Sequence, residues 1–222
     1  MRAAKSPKLP NDIRPQVAVA AWVRAVLLDD RTFEKSIAPV VVALNPSLRP
    51  YLERALTSKK RAERRLALLA ALLEAPSTSA SVFAWRKGAV TKGTISSSYD
   101  SHWWCGSAAA GGNAGNSWQT QGNVPSFDVR FLSRTQRQTR DREARCLNQL
   151  GSGPTFLANE AAEVAKLLPN DPQIPQLLHV AVRATQYGCK DAGTTPASRR
   201  AFRALHTKYP NSDWTAKTPY YY

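Results

Sequence analysis

The stretches Ala161-Ala162-Glu163-Val164-Ala165-Lys166-Leu167-Leu168-Pro169-Asn170 and Phe202-Arg203-Ala204-Leu205-His206-Thr207-Lys208-Tyr209-Pro210-Asn211 decide the reading of this chain. With Pro169 set over Pro210, the apolar positions Ala161, Val164 and Leu168 fall on Phe202, Leu205 and Tyr209, at an offset of 41 residues. Each stretch is a short amphipathic helix that runs into a proline-bearing turn and launches the next helix. Helical units of this size cannot bury their apolar faces alone and must stack on neighbours. The expectation is an all-α fold, an antiparallel helical array or α-solenoid.

Working back toward the N-terminus, the same periodicity recurs. It predicts helices over 13–28, 32–44 with Pro39 as a kink, 47–56 capped by Ser47, and 59–74. In the last, Ala62, Leu66, Leu69, Ala70 and Leu73 line one side and the arginines lie opposite. Four helices with short turns form an antiparallel array. On the C-terminal side, Ser133-Arg134-Thr135-Gln136 fits a capping box for a helix reaching Leu150, and Pro154 suits the first turn of the helix that carries Leu157, Ala161, Val164 and Leu168. Helices over 174–187 and 198–209 complete the pattern, and the aromatic tail from Trp214 to Tyr222 is expected to cap the open end of the stack. Val164, Leu168, Leu178, Phe202 and Leu205 are expected to share one core.

Between them, 75–131 lacks periodicity. Ser, Thr, Gly and Asn dominate it, yet it holds four of the six tryptophans, Trp85, Trp103, Trp104 and Trp118. A solvated linker carries no such aromatic load, and an irregular segment this long is uncommon unless functional or disordered. The organisation read from sequence is therefore a flexible basic N-terminus (1–12), an N-terminal helical array (13–74), an irregular aromatic insert (75–131) and C-terminal helical repeats (132–222).

The chain carries 31 Lys and Arg against 16 Asp and Glu, a net charge of +15. Such a protein is drawn to polyanions, including nucleic acid, through charge alone. Local excess falls at Lys59 to Arg65, at Arg130 to Arg145 and at Arg199 to Arg203. No stretch approaches the ~20 apolar residues of a membrane span. The basic, proline-bearing first ten residues show no signal peptide, although an exported location is compatible with the chain being part of a longer precursor.

Three cysteines, Cys105, Cys146 and Cys189, exclude a disulfide-dense scaffold. In an oxidising compartment, Cys105 and Cys189 are the pair expected to bridge, with buried thiols the plainer alternative. His102-x-x-Cys105 has the spacing of half a zinc site, which Cys189, His179 or His206 would have to complete, but no second half with recognisable spacing accompanies it. His179 and His206, on amphipathic helices, read as hydrogen-bonded packing residues. The glycines from Gly106 to Gly115 match neither phosphate-loop pattern, and Asp100 and Asp128 have no fixed separation. No metal, cofactor or catalytic constellation is expected, and the chain reads as a non-enzyme.

Ala201-Phe202-Arg203-Ala204-Leu205-His206-Thr207-Lys208-Tyr209-Pro210-Asn211-Ser212-Asp213-Trp214 resembles the helix-turn-helix hinge of tetratricopeptide-like repeats. The 41-residue spacing exceeds the usual ~34 residues, which marks a non-standard repeat. The region 156–222, with Trp-Trp-Cys at 103–105 and Tyr-Gly-Cys-x-Asp at 187–191, is also similar to the C-terminal part of large uncharacterised bacterial helical-repeat proteins, many of them exported. That resemblance implies a scaffold or adaptor with a protein partner and no catalytic residues. The alternative is a nucleic-acid-binding module using basic helices and the insert. The candidate partner-binding residues are Trp103, Trp104, Trp118, Arg61, Arg64 and Arg65. Charge geometry separates the two readings: Arg61, Arg64, Arg65 and the arginines from Arg134 to Arg145 on one contiguous face beside exposed Trp103 or Trp118 favour nucleic acid, and their dispersal favours the scaffold.

Overall fold

A computed structural model describes residues 14–74, 132–186 and 190–222. The described residues are helical, with no strand among them. The elements are α1 (Arg14–Leu27), α2 (Arg31–Leu44), α3 (Arg49–Thr57), α4 (Arg61–Glu74), α5 (Arg134–Gln149), α6 (Gly153–Leu167), α7 (Ile174–Ala184), α8 (Thr194–Lys208) and the single turn α9 (Asp213–Ala216). No described helix is long and apolar enough to cross a membrane.

The α1–α2 connection shows how sequence sets the angle between helices. Asp30 N–H bonds to the Ala25 carbonyl (2.9 Å) and Asp29 N–H to that of Val26 (3.1 Å). This is a Schellman stop, with Asp29 in the left-handed conformation at φ 52°. The next residue, Asp30, caps α2 by accepting from Phe33 N–H at 2.9 Å. One short acidic turn thus ends a helix and starts another. α2 continues through Pro39, which lies on an exposed position, so the carbonyl deprived of its partner faces water. The third helix is entered differently from the expectation. Pro46–Leu48 forms a 3-10 turn, Leu48 occupies the cap position of α3, and no side chain, Ser47 included, caps it.

α4 also departs from its sequence pattern. Leu66, Ala67, Leu68, Leu69, Ala70, Ala71, Leu72 and Leu73 are all buried, so the helix has no solvent face over two turns. The reason is its position. α3, α6 and α7 all pack on it. Residues of α1 to α4 and of α6 to α8 consequently belong to one hydrophobic cluster, in which Trp22, Ile37, Leu52, Leu69, Leu157, Leu178 and Leu205 are among the fully buried side chains. Two ion pairs stitch the same halves together: Arg54 to Asp171 at 2.9 Å, and Arg65 to Glu160.

The 41-residue offset recurs in the backbone. α6 and α8 are each 15 residues long and begin 41 residues apart. They end on Leu168 (φ −131°, ψ 58°) and Tyr209 (φ −131°, ψ 49°), which donate to the Val164 and Leu205 carbonyls at 2.9 Å each. The turns then match bond for bond. Asp171 and Ser212 donate to the Leu168 and Tyr209 carbonyls, and their side chains accept from the N–H groups of Gln173 and Trp214. α6 packs on α7 and α8, α7 packs on α8, and α9 packs on α7. α8 starts four residues earlier than its apolar pattern indicates, because Pro196 is accommodated in its first turn.

Of the expected core residues, Val164, Leu178 and Leu205 are buried in the cluster, while Leu168 and Phe202 are partly buried against it. Phe202 instead stacks on His206 at 4.0 Å between centroids. Leu205, fully buried, is therefore the sharper probe of this packing. Leu205→Ala is expected to destabilise by ~2–5 kcal/mol in chemical denaturation, and a loss near zero would contradict the packing of α8 on α6 and α7.

Candidate interaction surface

The basic sequence clusters meet different fates. Arg64 is buried, with Nη1 3.0 Å from Glu34 Oε2 and Nη2 2.7 Å from Asp29 Oδ1. Glu34 is itself buried; burial pushes its carboxyl up from the usual range, and Arg64 opposes that shift. Arg65 grips both carboxylate oxygens of Glu160, and this bond holds its pKa above the ordinary value against the effect of burial. Arg61 is exposed. Two of the three candidate arginines of α4 thus face Asp or Glu from other elements, while Lys59, Lys60 and Arg61 are exposed. Trp103, Trp104, Trp118, Cys105 and Cys189 lie outside the described residues; Cys146, on α5, is exposed.

α5 opens with the expected capping box: Ser133 N–H donates to Gln136 Oε1 (2.8 Å), and Gln136 N–H to Ser133 Oγ (3.2 Å). Its Asp141 pairs with the adjacent Arg140 at 2.8 Å, and Glu143 reaches Arg24 of α1 at 3.2 Å. Arg134, Arg142 and Arg145 are exposed on the same helix.

The third cluster is arranged differently. Thr195, Pro196, Arg199, Arg200 and Arg203 of α8 surround a shallow depression of about 360 Å³. The Arg199 guanidinium lies 5.1 Å over the Tyr221 ring, Arg200 donates to the Asn159 side chain, and Arg203 has no hydrogen-bond or ion-pair partner among the described residues. The chain from Trp214 onward folds back on α7 and α8 beside this face. Tyr222 N–H bonds to Ser198 Oγ (3.0 Å), its hydroxyl accepts from Arg183 (2.9 Å), and Tyr221 meets Phe202 at 5.5 Å. Tyr220 is 71 % exposed.

Both C-terminal histidines are packing residues that converge on Thr218. The Thr218 hydroxyl donates to the Trp214 carbonyl (2.6 Å), so its oxygen must accept from His179 Nδ1 at 2.7 Å, which assigns the His179 proton to Nδ1. His206 Nε2 donates to the Thr218 carbonyl at 2.9 Å. His179 is buried beside Trp214. Desolvation, aided by the charges of Arg183 and Lys217, lowers its pKa to about 4.

Sequence reading overlooked Asp191. Its carboxylate accepts from Ser152 N–H (2.7 Å), Gly193 N–H (2.8 Å) and the Thr155 hydroxyl (2.9 Å), while Thr194 Oγ1 accepts from Asp191 N–H at 2.8 Å. Thr155 and Thr194 are themselves 2.8 Å apart. One anion therefore serves the N-termini of both α6 and α8, where helix dipoles favour it. Burial would raise its pKa, but the donors from Ser152, Thr155 and Gly193 hold it below the usual carboxylate range. A Cβ at Gly193 would lie 3.1 Å from that carboxylate and from Thr155 Cγ2, a tight contact at this junction. The one sequence signal is Asp191 two residues before Gly193, the i, i+2 spacing of an Asx turn.

No protein-family model, curated protein or solved structure matches the chain.

Breaking the Glu34–Arg64 pair by Arg64→Met leaves Glu34 buried and bonded to nothing in its place, and is expected to cost ~3–5 kcal/mol. Adding Glu34→Leu should recover most of that loss in a double-mutant cycle, and additive losses would contradict the pairing.

For His179 the folded pKa lies below the unfolded value of 6.5. The unfolded state therefore binds the extra proton, and stability falls as pH drops from 6.5 toward 4. The loss is about 2 kcal/mol by pH ~5. Denaturation curves at neutral and acid pH should show His179→Asn losing less than wild type over this window; an equal loss would assign the acid sensitivity to other groups.

Proposed function

We propose that the chain is an interaction module built from tetratricopeptide-like helical hairpins, a scaffold or adaptor that binds another polypeptide. The observation that carries this reading is the coincidence of the 41-residue sequence offset with the matching bounds, end conformations and turn bonds of α6–α7 and α8–α9. Hairpins of this kind stack so that each helix meets its neighbour in the next unit, and the outward helix faces form an extended binding surface. α6 meets α7 and α8, α7 meets α8, and the single turn α9 meets α7. Hairpins stacked in this way, together with the helices of 14–74, are the α-solenoid of this proposal.

Charge disposition favours a polypeptide over nucleic acid. A phosphate-tracking surface needs a run of cations along one path. Arg64 and Arg65 are turned onto Glu34 and Glu160, and Arg54 onto Asp171.

The test is affinity capture on the immobilised protein from a lysate of its own source, at physiological salt, with and without nuclease. Retention of a discrete polypeptide in stoichiometric amount after nuclease treatment is the expected result. Retention that nuclease abolishes would replace this reading with the nucleic-acid one.

A further inference from the structure

Some arginines of this protein are matched by acids from other elements, and others, among them Arg61 and the α5 residues Arg134, Arg142 and Arg145, are exposed. Across the core, guanidinium groups meet carboxylates from other helices: Arg24 with Glu143, Arg54 with Asp171, Arg64 with Glu34, Arg65 with Glu160. On the outer face of α8, Arg199, Arg200 and Arg203 line one depression with Thr195 and Pro196, and no acidic residue lines it among the described residues. α8 itself contains no Asp or Glu.

From this contrast we infer that the outer face of α8 docks an acidic segment of a partner polypeptide. The inference rests on the interaction-module reading and gives it a site and a ligand chemistry. Arg199 and Arg203, one turn apart, repel each other across the helix surface, and a carboxylate placed between them relieves that repulsion. Each guanidinium presents five N–H donors in a fork suited to carboxylates. Little of that capacity is used: Arg200 donates to Asn159, Arg199 lies on Tyr221, and Arg203 meets no partner among the described residues. The carboxylate of Glu163, which feels the charge of Arg200, is already bonded to Lys166 at 2.7 Å.

The surroundings indicate a polypeptide. Pro196 and Tyr221 supply apolar and aromatic contact next to the charges, the mixture of Arg and Tyr that anchors protein interfaces. The cationic face spans about one helical turn, too short to track more than a few phosphates. A second copy of this chain, at +15, repels the first.

The experiment measures fluorescence anisotropy of a labelled deca-glutamate peptide, with a labelled single-stranded decathymidylate as the comparison, at roughly 50 and 150 mM salt. Arg199→Glu/Arg203→Glu is compared with Lys35→Glu/Lys59→Glu, which makes the same change of net charge at exposed positions away from α8. All four positions are exposed, and thermal melts verify that both variants remain folded. The expected result is peptide binding that weakens at least about tenfold in the α8 variant and less than about twofold in the control variant. Equal weakening in both, unchanged affinity in the α8 variant, or no measurable peptide binding by wild type would overturn the proposal. Tighter binding of the oligonucleotide, lost in the same α8 variant, would overturn it in favour of nucleic acid. Repeating the lysate capture with the α8 variant separates the two levels. A polypeptide retained undiminished by the variant removes this site and leaves the module reading standing, whereas no polypeptide retained by wild type removes the module reading itself.

Discussion

Everything else in this structure accommodates the burial of α4 on every side. A helix that places Leu66 through Leu73 out of water must be approached from several directions, and the molecule does so with elements from both ends of the described chain. The cost is electrostatic. Arg64 goes inside with the helix, and a buried guanidinium without a counter-charge would be ruinous. Glu34 and Asp29 supply that counter-charge from α2 and from the turn before it. The left-handed turn at Asp29 thus acts as part of the same device: it ends α1 and aims a carboxylate at α4.

Much of the helical architecture was legible because apolar spacing is a local property. The periods around Leu157, Val164 and Leu205, the capping box at Ser133 and the packing role of His179 and His206 all depend on residues close in sequence or on elementary chemistry. What escaped was non-local. An arginine on a polar stripe reads as solvated, and nothing near Arg64 announces that Glu34 waits 30 residues away. Gly193-Thr194-Thr195-Pro196 reads as loop, because the anion that organises it also binds Ser152 across the helix pair. The eight-residue buried run of α4 contains alanines and leucines in an order that fits a one-sided helix equally well. The proposed interaction surface was partly legible: the run Arg199 to Arg203 stood out as basic, while its lack of carboxylate partners among the described residues emerged only from the structure.

The division of the arginines bears on how charge is used in a protein of this net charge. Those facing inward join helices and fix register, and those on α8 remain available to solvent. The same residue type therefore sits in two settings, separated by whether a neighbouring element supplies an acid.

The pairing of α6 with α8 has a mechanical side. At one end both helices are fastened to the Asp191 carboxylate; at the other, Tyr209 Oη holds the Pro169 carbonyl at 2.7 Å and Lys208 Nζ that of Ala165 at 3.1 Å, with Arg200 and Asn159 tied in between. Two rods joined at both ends and at the middle resist shear and bend as a single beam. The backbone of α8 is thereby held along its length, so that at the docking face proposed for it little ordering would remain to oppose association.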